Sequence, residues 1–152
     1  MSELKDRLNA DLTAAMKARD KLVTGTLRMA LTAVRTEEVA GKTARDLSDE
    51  EVLAVLTREA KKRREAAEAF IAGGRTELAE KERAEGVVLG RYLPEQLSQD
   101  DLADVVRKAL AEAGVTDVKQ LGKAMKAAQA EVAGRAEGGR VAAEVRRQLT
   151  GG

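Results

Sequence analysis

Apolar residues recur along this chain with the period of a helix, and they predict seven helices in succession. Leu4, Leu8, Leu12 and Met16 repeat every four residues and form one stripe of a first helix from Ser2 to about Arg19, with Ser2 as its N-cap. A second helix after Asp20 sets Val23, Leu27, Leu31 and Val34 on one face, and Gly41 is the expected stop. Ser48 and Glu51 stand at capping-box spacing before a third helix that carries Leu53, Leu56, Ala60, Ala67 and Phe70 as far as Gly73-Gly74. Thr76 is the expected cap of a fourth, with Ala84, Val87, Val88 and Tyr92 inward, and Pro94 ends it. Ser98 opens a fifth helix with Leu102, Val105, Val106, Ala109 and Leu110 inward, closed by Gly114. A sixth carries Val118, Leu121, Met125 and Ala128. Residues 134–139 read as a turn, and a short helix from about Arg140 to Leu149 closes the series.

The expected fold is therefore all-α, in two helical subdomains. The boundary is placed at Pro94, the only proline, which separates an N-terminal domain (1–93) from a small three-helix bundle (98–149). Composition agrees. Of 152 residues, 28 are Ala, 17 Leu and 14 Val, with one Phe, one Tyr and no Trp. Ala, Leu, Glu, Lys and Arg keep most of their rotamer freedom in a helix. The absence of Cys and His removes disulfides, thiolate nucleophiles, Cys/His zinc sites and imidazole acid–base chemistry from consideration. No uncharged run exceeds six residues, so no membrane span is expected, and the cytoplasm is the expected compartment. The net charge is +1 but uneven: +2 over residues 1–75, −4 over 76–114 and +3 over 115–152.

Few residues carry visible chemistry. Ser2, Ser48 and Ser98 all fall at N-caps, where the hydroxyl accepts from backbone N–H groups and makes a poor nucleophile. Gly41-Lys42-Thr43 resembles the end of a phosphate loop, but Thr36 stands where the first glycine belongs. Asp49-Glu50 and Asp100-Asp101 lie in first helical turns, where the helix dipole favours them without a metal. No metal and no cofactor is expected. The densest basic cluster is Arg58, Lys61, Lys62, Arg63 and Arg64, laced by carboxylates at i,i+4 spacing. Arg63 falls on the apolar stripe, which predicts that it lies between helices beside a carboxylate or runs its stem outward. In the tail, Lys119, Lys123 and Lys126 share a helix side, and Arg135 and Arg140 flank the glycine turn. Clustered cations near such a turn suit phosphates. The scarcity of aromatics argues against single-strand stacking and for the backbone and shape of folded RNA.

Several segments together resemble the YqeY-like family. They are Thr26-Leu27-Arg28-Met29, the run from Glu59 to Glu65, Ala69-Phe70 through Gly73-Gly74-Arg75, Tyr92-Leu93-Pro94-Glu95-Gln96-Leu97-Ser98, Gly122-Lys123-Ala124-Met125 and Gly134-Arg135-Ala136-Glu137-Gly138. The resemblance implies an N-terminal helical domain joined to a bundle similar to the tail domain of the B subunit of tRNA-dependent Asp/Glu amidotransferase. That tail contacts tRNA while other domains carry the chemistry. The family is commonly described as carbon–nitrogen ligase with glutamine as amide donor, yet the glutaminase's Ser–Ser–Lys centre and the B subunit's catalytic cradle have no counterpart here. What the resemblance carries over is the tail: Lys119, Lys123, Lys126, Gly134, Arg135 and Gly138 as RNA-facing positions, with Arg140 beside them. The extra Gly139 departs from the family pattern and predicts a loosened start to the last helix. The expectation is a non-catalytic accessory protein that binds tRNA or another structured RNA. The alternative is a helical adaptor for a protein partner, such as an amidotransferase or a synthetase.

Overall fold

A computed structural model of the chain describes residues 2–151. Among the described residues there are seven α-helices, one short 3₁₀ turn and no strand. They are α1 (Glu3–Ala18), α2 (Lys21–Glu38), α3 (Asp49–Ala72), α4 (Thr76–Gly90), α5 (Gln99–Ala113), the 3₁₀ turn (Val118–Gln120), α6 (Leu121–Val132) and α7 (Gly138–Thr150). The chain divides into two compact units, Met1–Leu93 and Pro94–Gly152.

The first unit holds α1 to α4 around a core of Leu8, Leu27, Val34, Val52, Leu56, Val88 and Leu89. Its helix starts are chemically specified. Ser2 Oγ accepts from Lys5 N, Asp20 from Val23 N, and Ser48 completes its capping box with Glu51. Ser2 Oγ also donates to Asp49, which ties the start of α1 to the start of α3. Only Arg19 and Asp20 join α1 to α2, and Arg19 makes the corner at φ 57°. Arg45 reaches Glu51 at 2.6 Å and holds that carboxyl down at about 2. Tyr92 donates from its hydroxyl to Asp11 at 2.5 Å beneath the Arg7 guanidinium. Burial, then the Asp11 carboxylate, pushes the phenol up to about 12.

Beyond Ala60 on α3 and before Val88 on α4 the core cluster stops. The two helices continue as a pair that buries Ala67 and Ala79. Gly74 at φ +75° turns the chain between them, and Arg75 N donates back to Phe70 O at 2.7 Å.

The second unit is a three-helix bundle of α5, α6 and α7. Its core is Leu102, Val106, Ala124, Ala128, Val132, Val141 and Val145. Ala124 and Ala128 are small enough to let the neighbouring helices approach α6 closely.

Several sequence expectations need correction. Gly41 does not cap α2. The helix ends at Glu38, Val39 takes the C-cap position, and Arg45 N donates to Glu38 O to close the loop that follows. Thr76 is the first residue of α4 rather than its cap, and the cap position, Arg75, offers no side-chain bond. The last helix starts at Gly138, so both Gly138 and Gly139 are helical. Met16, Val87 and Val118 face outward, Val118 within the 3₁₀ turn. On α3 the buried side is Val52, Val55, Leu56, Glu59 and Ala67, so Val52 and Val55 lie deeper than Leu53.

Candidate nucleic-acid interface

The expected RNA-facing residues fall into two groups with different surroundings. The first is the lysine row. Asp117 caps the 3₁₀ turn by accepting from Lys119 N at 2.9 Å, and Gln120 Oε1 accepts from Thr116 N. These two bonds set Lys119 just ahead of α6. With Ala124, Ala128 and Val132 turned into the core, Lys123 and Lys126 stand on the outward side one turn apart. All three lysines are exposed, and among the described residues none has an ion-pair partner.

The second group belongs to the glycine turn. Ala133 and Gly134 are both left-handed, at φ 50° and 80°. Arg135 folds back onto the end of α6, donating from Nε to Val132 O at 2.9 Å and from Nη2 to Glu131 O at 2.7 Å. A cation on the last carbonyls of a helix meets the negative end of its dipole, which gives Arg135 a structural task. The turn is clipped to the chain before α5, since Leu97 N donates to Arg135 O at 2.7 Å and Gln96 Nε2 to Gly134 O at 3.2 Å. Arg140 Nη2 donates to Leu97 O at 2.9 Å, fixing the first turn of α7 to the same segment. Gly134 has a backbone reason to be glycine. Gly138 has none, because a Cβ there would only meet Gln129 Nε2 at 3.8 Å.

Periodicity missed the buried carboxylate of this bundle. Glu144 on α7 is 2% exposed. Its carboxylate accepts from Arg147, Gln148 and, across to α5, Gln99, with the Arg147 Nη2 contact at 2.7 Å. The Arg147 guanidinium holds this carboxyl below its ordinary range against the opposing effect of burial. The sequence did carry a signal: Glu144 lies three residues after Val141 and beside Val145, on the buried side.

The α3 cluster is not one surface. Lys61 pairs with Glu65 at 3.8 Å, Lys62 with Glu59 at 3.0 Å, and Arg58 with Glu37 on α2 at 3.6 Å. Arg64 is exposed. Arg63 is the inward member, its side chain 13% exposed. It lies 3.4 Å from Glu59 and 3.9 Å from Glu85 of α4, and its Nη2 donates to Met29 Sδ at 3.3 Å. The expectation of an interhelical arginine with a carboxylate beside it is met, with a second carboxylate that the sequence did not reveal. Glu59 and Glu85 are 8% and 6% exposed, on the sides of α3 and α4 that continue the core stripe.

Thr26 to Met29 and Glu59 to Glu65, far apart in sequence, also meet. Arg28 and Met29 share one groove of about 570 Å³ with Arg58, Glu59, Lys62 and Arg63. Among the described residues no helix is long and apolar enough to cross a membrane.

Two comparisons with known proteins bear on this arrangement. Residues 5–149 match the family model described as Yqey-like protein. An uncharacterized protein of Schizosaccharomyces pombe is 39% identical over 88 residues, a stretch that spans 57% of this chain and 69% of that relative.

Proposed function

The chain belongs to the YqeY-like family, and from that premise we propose that it is a non-catalytic accessory protein that binds tRNA through its second unit. The lysine row carries this reading: Lys119, Lys123 and Lys126 are exposed and, among the described residues, lack acidic partners, on the part of the bundle with the local charge excess. Such a row suits the sugar–phosphate backbone, where lysine acts as a mobile point charge and base identity is not read. The glycine turn, braced by Arg135 and Arg140, holds the end of α6 and the start of α7 in place behind it. Any amidotransferase chemistry then belongs to a partner.

The test is tRNA binding by the full chain at two salt concentrations, beside the Lys119→Glu/Lys123→Glu/Lys126→Glu variant. The wild type is expected to bind saturably and to lose affinity with salt. In the variant the dependence of log affinity on log salt should flatten by about one unit for each lysine that contacts a phosphate. Arg135 is a poor choice for this test, since replacing it strips the end of α6 of its donors. No binding at either salt, or binding that ignores the triple change, overturns the reading.

A further inference from the structure

We propose that the groove between α2 and α3 docks an acidic amphipathic segment of a protein partner, one that sets an apolar side chain between two carboxylates. This site lies wholly within the first unit, so it goes beyond the RNA reading and does not depend on it.

The groove runs along α2 from Arg28 to Glu37, about 14 Å at 1.5 Å per residue, or two and a half turns. Its floor is apolar, built from Met29, Ala33 and Val55. Met29 is 38% exposed although it lies in a concave surface, and a thioether adapts well to varied apolar partners. Cations stand at both ends. Arg28 and Lys62 flank the end where Met29 meets Arg63, and Arg58 stands at the end where it meets Glu37. Among the described residues Arg28 has no ion-pair partner, and the Arg58–Glu37 contact at 3.6 Å joins two half-exposed groups, which a ligand carboxylate can displace at small cost.

Beneath this rim Arg63 is held between Glu59 and Glu85, and its buried Nε–H has no acceptor. Lys62 lies 3.0 Å from Glu59, so Arg63 and Lys62 together offset Glu59 and Glu85, and the recognition charge of the groove lies with Arg28 and Arg58. A ligand complementary to this layout carries acidic groups about two turns of helix apart with an apolar side chain between them. A shallow trough with an apolar floor and guanidinium ends matches the helix-in-groove mode of recognition. A compact anion would leave the floor uncovered.

The experiment is selection from a displayed pool of random fifteen-residue peptides on the immobilised full chain, followed by fluorescence anisotropy with the enriched peptides. Asp or Glu flanking Leu, Ile or Met at helical spacing is the expected enrichment. Arg28→Glu/Arg58→Glu replaces two exposed side chains, keeps the helical circular dichroism, and is expected to weaken binding about tenfold or more. Peptides with Lys at the two acidic positions should bind that variant better than the wild type. No enrichment, enrichment of basic or uncharged peptides, equal binding to the variant, or displacement of bound peptide by tRNA each overturns the proposal. Loss of tRNA binding in the lysine-row variant leaves peptide binding unchanged, so the two readings fail separately.

Discussion

Arg63, Glu59 and Glu85 show what one residue can do to a hydrophobic pattern. Each stands where the core stripes of α3 and α4 would continue with an apolar side chain, and the pattern breaks there. Removing Arg63 strands Glu85 and leaves Glu59 with Lys62 alone, and an unpaired buried charge costs far more than the pair contributes. Arg63→Met is expected to lower unfolding stability by about 3 kcal/mol in urea denaturation, and adding Glu59→Gln and Glu85→Gln to recover part of that loss. Glu144 makes a prediction in pH. Its folded-state carboxyl is held below the ordinary value of 4.5 by Arg147, so its contribution is present above that value and disappears as pH falls through the depressed one. Glu51, held at about 2 by Arg45, acts in the same sense. Thermal midpoints should therefore decline from pH 4.5 downward. The gap between wild type and Glu144→Gln should narrow over the same range, and a gap that stays constant with pH would contradict this assignment.

At the scale of elements, a helix start is legible where a side chain supplies the capping bond. Ser2, Asp20, Ser48 and Ser98 all begin helices as their chemistry requires. Stops without such a bond were less legible. The sequence pattern ends α2 at Gly41, but the helix ends earlier, at Glu38, with Val39 as a C-cap of negative φ. Gly138 and Gly139 read as a turn in sequence, yet both join the first turn of α7, where Glu137 O accepts from Val141 N. Helical glycine carries an entropic penalty, and nothing lies within 4 Å of a Cβ added at Gly139. Gly139→Ala should thus stabilise the chain by about 0.5–1 kcal/mol, measured from the shift in urea midpoint at constant slope. Ala133 points the opposite way. It holds φ 50° without being glycine, so Ala133→Gly should stabilise by a similar amount, about 0.5–1 kcal/mol.

At the scale of the whole molecule, two separate cores form within one chain. Leu102, Val106, Val132, Val141 and Val145 cluster with one another, and the 1–93 unit has its own set. A fragment of residues 94–152 is expected to fold alone, with a helical spectrum and a cooperative thermal transition. It is small enough for its stability to be marginal. A fragment without helical signal would show that the bundle needs the first unit. If it folds, the tRNA binding proposed for the full chain should be retained in this fragment.

Seven helices, the starts capped by Ser2, Asp20, Ser48 and Ser98, and an inward arginine could be read from the chain alone, because side-chain caps and apolar periodicity act within a few residues of themselves. That arginine's i,i+4 neighbour Glu59 could be read too, but the arginine's contacts beyond α3 could not. Met29 and Glu85 come from two other helices, and their meeting with Arg63 is set by packing across tens of residues. The same holds for the tail cations. Lys119, Lys123, Lys126, Arg135 and Arg140 read alike in sequence as positive charges near a turn. Folding divides them, because the end of α6 and the carbonyl of Leu97 draw the two arginines inward while the lysines, without an ion-pair partner among the described residues, stay exposed. Local chemistry dictates where a helix begins. Which charges remain available for a partner depends on the backbone groups that packing leaves unsatisfied nearby.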